Sequence, residues 1–305
     1  MKTLHYTLVD VFTNKPFGGN QLAVFKDDGT LPTELMQKIA RELNLSETVF
    51  IRPSRNNTAD KELRIFTPQI ELPIAGHPTV GAAYVLGNEQ INSLTQGENK
   101  VVFETGVGDI TVQIYKDNNG ISSVEMTQKT PEFGPVYEDI ERVAELLSLS
   151  PDDIERNIPV QTVSTGVPFL FIPIRTLAAM EKIKLRTDIW EQSFRVDSNT
   201  EHIFTFTSET MNEASTVHSR MFAPAMGIAE DPATGNASGP LGAYLVEHSV
   251  VSSSKQTYHI RSEQGIEMGR PSFIDVTVTK RAEQYEQVKI SGNCVTIGSG
   301  QLVIE

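Results

Sequence analysis

The chain has 305 residues, more than one small core needs, so two domains of ordinary size are expected. Its hydrophobic content of 39% with 21% charged residues belongs to the soluble globular class, and a formal charge of -13 works against a nucleic-acid backbone as partner, so none is expected. One cysteine, Cys294, excludes an internal disulfide, a thiol pair and a cysteine metal cluster, and it fits a reducing, cytoplasmic setting.

The opening "MKTLHYTLVDVFTNKPF" carries Asp10 and lacks a continuous apolar stretch, so it does not read as a secretory signal. No later run approaches the roughly 18 apolar residues of a membrane helix, and no membrane partner is expected. Alternation of β-branched and aromatic residues predicts strands at "HYTLVDVFT" and "QLAVF". "PTELMQKIARELN" then predicts a helix, with Leu35, Ile39 and Leu43 on one face and Thr33 as its cap. Further strands are predicted at "TVFIRPS", "LRIFTP", "KVVFETGVGDITVQIY" and "ISSVEMTQ". The Pro/Gly-rich "QKTPEFGPVY", residues 128 to 137, reads as the interdomain connection.

Beyond it, "EDIERVAELLSLS" predicts a helix, and "SPDDIER" another that opens with a Ser150 cap, Pro151 at the first helical position and Asp153 in the first turn. A second set of strands follows at "QTVSTGVPFLFIPI", "HIFTFTSE", "VHSRMFAP", "QTYHIRSEQ", "FIDVTVTK" and "QVKISGNCVTIGSGQLVIE". Short Gly, Asn and Asp turns between most strands favour antiparallel or mixed sheets in an α+β fold over a regular βαβ array.

Two stretches repeat one another. "RIFTPQIELPIAGHPTVGAAYVL" and "RMFAPAMGIAEDPATGNASGPLGAYLV" align through Arg64/Arg220, Phe66/Phe222 and Pro68/Pro224, and each ends in a Gly/Ala-rich apolar helix. A separation of half the chain is too wide for a solenoid and predicts two duplicated lobes. Each repeat delivers a turn into a helix N-terminus, where unpaired backbone N–H groups and the positive end of the dipole suit a carboxylate. A small anionic metabolite is therefore compatible with the acidic chain; ordinary tight turns between helix and sheet are the other reading. His77 faces Asp231 in the alignment, and an imidazole and a carboxylate suit proton transfer. Each alone is also a common structural donor or cap.

Glu47 in "NLSETVFI" stands at the mouth of an apolar strand, either partly desolvated with its pKa raised, or a solvated turn residue. Asn20, after Gly18 and Gly19, either orients a substrate or closes a hairpin. No phosphate loop, zinc-protease motif, nucleophile elbow or dinucleotide fingerprint occurs. His5, His202, His218, His248 and His259 are scattered without metal-ligand spacing, so no metal and no cofactor are expected.

"DVFTNKPFGGNQLAVF", "LNLSETVFI" and the two repeats together, in order over almost the whole chain, closely resemble the PhzF-like family of phenazine-biosynthesis isomerases. The resemblance implies a diaminopimelate epimerase-like fold of two pseudo-symmetric lobes, each a curved sheet wrapped around a central helix, with the site in the cleft between them. It implies a discontinuous first lobe, residues 1–128 plus 289–305, a second lobe of residues 129–288, and a homodimer. In the phenazine enzyme a glutamate moves a proton on trans-2,3-dihydro-3-hydroxyanthranilate, and Glu47 stands at that glutamate's motif position; His77 and Asp231 occupy the two assisting polar positions. Related racemases and epimerases place a cysteine pair there, which this chain lacks. Asn236 stands where the phenazine enzyme has a serine that helps hold the substrate carboxylate, with Ser238 as an alternative donor.

The expected activity is a cofactor-independent isomerisation of a small unsaturated carboxylic acid. Glu47 carries the proton, His77 and Asp231 assist, and Gly76, Gly235, Asn236, Ser238 and Asn20 bind the acid. A thiol-independent amino-acid racemase or a non-catalytic small-acid binding protein are the alternatives.

Overall fold

A computed structural model describes residues 2–304, which divide into two compact units, one running up to Thr127 together with the chain from Ser291 onward, the other Gln128–Ile290. The first is built around a helix with no polar face. α2 (Gly76–Glu89) buries nearly every residue from Gly76 to Gly87, so it needs a sheet on most sides. That sheet is supplied in chain order by β1 (Lys2–Val11), β2 (Asn20–Lys26), β3 (Glu47–Pro53), β4 (Lys61–Phe66), the short β5 (Glu71–Leu72), β6 (Gly97–Thr105), β7 (Gly108–Asp117) and β8 (Gly120–Gln128). β2 and β3 run parallel, as do β4 and β6; the remaining pairs are antiparallel.

Residues on the two faces of β1 to β3 have different tasks. Val9, Val11 and Leu22 meet α2 at Gly81, where an added Cβ would lie 2.5 Å from Leu22 Cδ2 and 2.9 Å from Val11 Cγ2. On the opposite face Tyr6, Phe25, Phe50 and Phe66 form a cross-strand aromatic row with centroids 5.1, 5.1 and 5.7 Å apart. α1 (Thr33–Leu43) covers that row with Met36, Ile39 and Ala40. Its cap differs from expectation: Thr33 is the first helical residue, preceded by Pro32, and its hydroxyl accepts from Arg64 Nη2 at 3.0 Å.

The second unit repeats the plan. β9 (Glu132–Val136) falls inside the stretch read as a connection; it pairs with β10 (Gln161–Ser164), and the register shift in that pair accommodates Pro135, which has no N–H to give. β11 (Pro168–Pro173), β12 (Ile203–Thr207), β13 (Val217–Ala223), β14 (Ile228–Asp231), β15 (Thr257–Gln264), β16 (Ser272–Arg281) and β17 (Gln284–Gly292) follow. α3 (Ile140–Leu147), α4 (Leu177–Lys182) and α5 (Thr187–Ser193) pack Leu146, Met180 and Trp190 on the outer face of these strands. α4 and α5 are too short to show a helical period and were not expected. Ser150 and Asp153 make the expected capping box, but the turn they cap is a single 3-10 turn, Pro151–Asp153.

α6 (Gly235–Glu247) is the apolar helix on the inner side, buried continuously from Ala237 to Val246 and contacted by Phe171 and Phe206 through Tyr244, both at 5.5 Å. The last strand, β18 (Cys294–Ile304), belongs to the first unit and pairs with β1 from Lys2↔Ile304 to Val11↔Cys294. Among the described residues no helix is long and apolar enough to cross a membrane.

Close packing against both inner helices is testable at Gly242, where a Cβ would lie 2.6 Å from Val276 Cγ1, a branched side chain with little room to move. Gly242→Val should overpack this contact and destabilise the protein by about 1–3 kcal/mol, read as a lower urea midpoint at unchanged m-value.

Candidate active site

The inner face of the first sheet is apolar except at one end. β2 and β3 are parallel, so they begin at the same edge, with Leu22 opposite Glu47. Alternation then turns Asn20, Leu22 and Val24 of β2, and Glu47, Val49 and Ile51 of β3, toward α2. The two polar residues are the first of their strands, and α2 begins beside them with Gly76 and His77. Asn20, Glu47 and His77 are buried, at 1%, 7% and 4% exposure, so Glu47 is not the solvated turn residue that the sequence also allowed.

They form a directed row. Asn20 Nδ2 donates to His77 Nδ1 at 3.3 Å, which uses that nitrogen's lone pair and leaves the proton on Nε2. Nε2 lies 3.1 Å from Glu47 Oε2. A carboxylate at that distance favours an imidazolium, but burial dominates and pushes His77 from 6.5 down to about 3. His77 is thus neutral, and its Nε2–H lies close to Glu47 Oε2 without being aligned to hydrogen-bond it.

In the second unit, Asp231 ends β14 and is 4% exposed. Thr234 Oγ1 donates to its Oδ2 at 2.5 Å. Gln264 fastens the same turn three times: its Nε2 donates to the Asp231 carbonyl at 2.7 Å and Thr234 Oγ1 at 3.0 Å, while its Oε1 accepts from Thr234 N at 3.2 Å. Gln128 Nε2 donates to the Gly235 carbonyl at 2.9 Å. Neither glutamine carries a signal in the sequence, because each acts through chain brought from more than thirty or a hundred residues away.

The duplicated lead-in has a common physical basis. Arg64 pairs with Glu71, through Nη2 and Oε2 at 2.8 Å, and lies 5.5 Å from the Phe66 ring centroid. Arg220 pairs with Glu230 twice at 2.8 Å and lies 5.2 Å from the Phe222 centroid. Each arginine clamps the hairpin that feeds an inner helix, β4 to β5 and β13 to β14. Glu230, adjacent to Asp231, is therefore a structural anion. The two aligned residues are not at the same point of their helices: His77 is the second residue of α2, whereas Asp231 precedes α6 by four.

The other sequence candidates fall around the helix starts. α2 and α6 have no side-chain cap, from Ala75 or from Thr234, whose hydroxyl is turned to Asp231. Gly76 and Gly235 open these uncapped turns. Asn236 is half-buried, the one residue between Gly235 and Val246 that is not enclosed. Ser238 is fully buried and its hydroxyl proton goes to the Thr234 carbonyl at 2.9 Å, which removes it as a ready donor to a ligand. Cys294 lies in neither motif, and burial pushes its thiol up.

Comparison with known proteins gives matches over nearly the whole chain. A family model described as phenazine biosynthesis-like protein, PhzC-PhzF, matches residues 9–300. An uncharacterized isomerase of Clostridium acetobutylicum is 38% identical over 299 residues, covering 97% of each chain. Trans-2,3-dihydro-3-hydroxyanthranilate isomerase of Pseudomonas chlororaphis is 34% identical over 304 residues, covering 98% of this chain and 99% of that one. The crystal structure of a Bacillus anthracis phenazine biosynthesis protein of the PhzF family superposes with a TM-score of 0.89 at 31% identity, over 100% of both chains.

The burial of His77 has a pH consequence. An unfolded chain protonates this imidazole near 6.5 and the folded one only near 3, so its contribution to stability is complete above 6.5 and declines as pH falls toward 3. Carbon-13 NMR of the labelled ring should accordingly show no titration of His77 between about pH 8 and 5; a midpoint near that of an exposed histidine would contradict the assignment.

Proposed function

The chain belongs to the phenazine biosynthesis-like family and is an isomerase, and from that premise we propose that it moves a proton, and with it a double bond, within a small unsaturated carboxylic acid without a cofactor. The observation that carries this reading is the buried row Asn20, His77, Glu47 at the mouth of an apolar strand pair. In this reading Glu47 takes a proton from one carbon and returns it to another, so a single carboxyl group serves as base and then as acid.

His77 stays neutral throughout. With Nδ1 occupied by Asn20, its Nε2–H, which makes no hydrogen bond to Glu47, is the group offered to negative charge developing on the substrate. The role left to it is to place a dipole beside the Glu47 carboxyl group. Asp231, held by Thr234 and Gln264, is assigned to a hydroxyl or amino group of the substrate. The uncapped first turns at Gly76 and at Gly235 to Asn236, with Asn20, are assigned to the substrate carboxylate, which backbone N–H groups bind without an added cation. The single cysteine and its raised thiol support acid–base chemistry on carboxyl and imidazole groups over a thiol pair, and they suit a cytoplasmic setting.

The test uses trans-2,3-dihydro-3-hydroxyanthranilate, the acid in the relative's name, in deuterium oxide. Glu47→Gln should lower deuterium incorporation by about a thousandfold while the dissociation constant changes by less than about threefold; undiminished incorporation rules Glu47 out as the carrier. Asn236→Ser, which restores the family's smaller donor, should raise kcat/KM for this acid severalfold. A fall instead would show that Asn236 already fits it.

A further inference from the structure

His218 lies in mid-strand on β13, fully buried, with Glu263 of β15 as its register partner. Its Nδ1 is 2.9 Å from Glu263 Oε1 and its Nε2 is 2.8 Å from Glu267 Oε1. Both contacts require the ring nitrogen to donate, since a bare lone pair would face a carboxylate oxygen at that distance. The two carboxylates bracket Gln264, which makes the three bonds to the Asp231–Thr234 turn, and Gly265. Gly265 has φ +74 and lets the chain close on that turn, for a Cβ there would lie 2.5 Å from the Pro232 carbonyl oxygen.

We propose that His218 is the positioning residue for Asp231: by gripping Glu263 with one ring nitrogen and Glu267 with the other, it fixes the intervening Gln264 and Gly265, and through them the turn from Asp231 to Thr234. The catalytic part of this inference rests on the role given above to Asp231; the mechanical part does not. Glu263 is further held by Met211 N at 2.6 Å and Asn212 N at 3.0 Å, so the grip is anchored on its strand side. Glu267 has the imidazole, its own backbone N–H and the field of Arg220, two residues along β13, to hold its charge. Burial alone would lower the His218 pKa, but the hydrogen bonds and charges of Glu263 and Glu267 outweigh it and bring it up to about 9. The stabilisation is therefore complete below 6.5 and is lost as pH rises through about 9.

Hydrogen–deuterium exchange of wild type, His218→Gln and Glu267→Gln tests the inference, the second variant standing in if the first does not fold. Exchange at Ala233, Thr234 and Gly235 should accelerate about tenfold in either variant, with the rest of the second unit within about twofold. Wild type should show the same local acceleration, beyond the intrinsic rate, as pH passes about 9, and the His218→Gln protein should show no such step. Uniform acceleration across the unit, or none, overturns the proposal. On the probe acid, His218→Gln should lower kcat with little change in KM, and it should cost nothing further when added to Asp231→Asn; multiplicative losses also overturn it. A wild type inactive on that acid counts against the substrate class proposed above, and exchange alone then decides the positioning role.

Discussion

Both units are governed by the same constraint, a helix without a polar face. α2 and α6 present glycine, alanine and aliphatic side chains all round, so exposing any side of either would leave apolar surface in water at about 25 cal/mol per Å². A flat sheet covers only one side of a helix. The strands therefore have to curve, and Gly81 and Gly242 let them approach within contact of the helix backbone. Once a helix is enclosed, its N-terminal turn remains where strands begin, and polar residues concentrate there: Asn20 and Glu47 at the heads of two parallel strands, Asp231 at the end of β14.

The hairpins that lead into these helices are held by charge. Arg64–Glu71 and Arg220–Glu230 are the same device at two degrees of burial: Arg220 also donates to the carbonyls of Met180 and Ile183, while Glu71 is more exposed to water. Removing one partner of the buried pair strands a charge, and this gives the second clamp the greater energetic weight. On the neighbouring position of the same face of β13, His218 supplies another cation. A protein of charge -13 thus spends buried positive charge on fixing the segments around Asp231, and the glutamates it meets are structural.

Much of this was legible in the sequence, and the failures have physical causes. The repeat was visible because Arg, Phe and Pro recur at fixed spacing, and the inner helices because they are uniformly apolar. The row of Asn20, His77 and Glu47 could be named residue by residue, but its direction depends on a lone pair and on burial, which no spacing encodes. Local rules erred where distant contacts override them. Thr33 caps nothing because Arg64 reaches its hydroxyl, and residues 132–136 form a strand in spite of Pro135 because β10 lies beside them. Gln264, Gln128 and His218 were invisible as site elements: a glutamine or histidine in a strand has no distinguishing neighbour until the fold supplies one.

The pairing of β18 with β1 also constrains the order in which the protein can be made. The second unit is continuous and has all its strands once residue 290 is synthesised. The first has its inner helix and eight strands far earlier, yet β1 keeps one bare edge along its whole length until the last described strand arrives. Until β18 is added the N-terminal unit is a sheet with an unpaired edge, and every strand of the later unit is synthesised before that edge is covered. The unit that carries Glu47 therefore closes after the unit that carries Asp231 has all its strands.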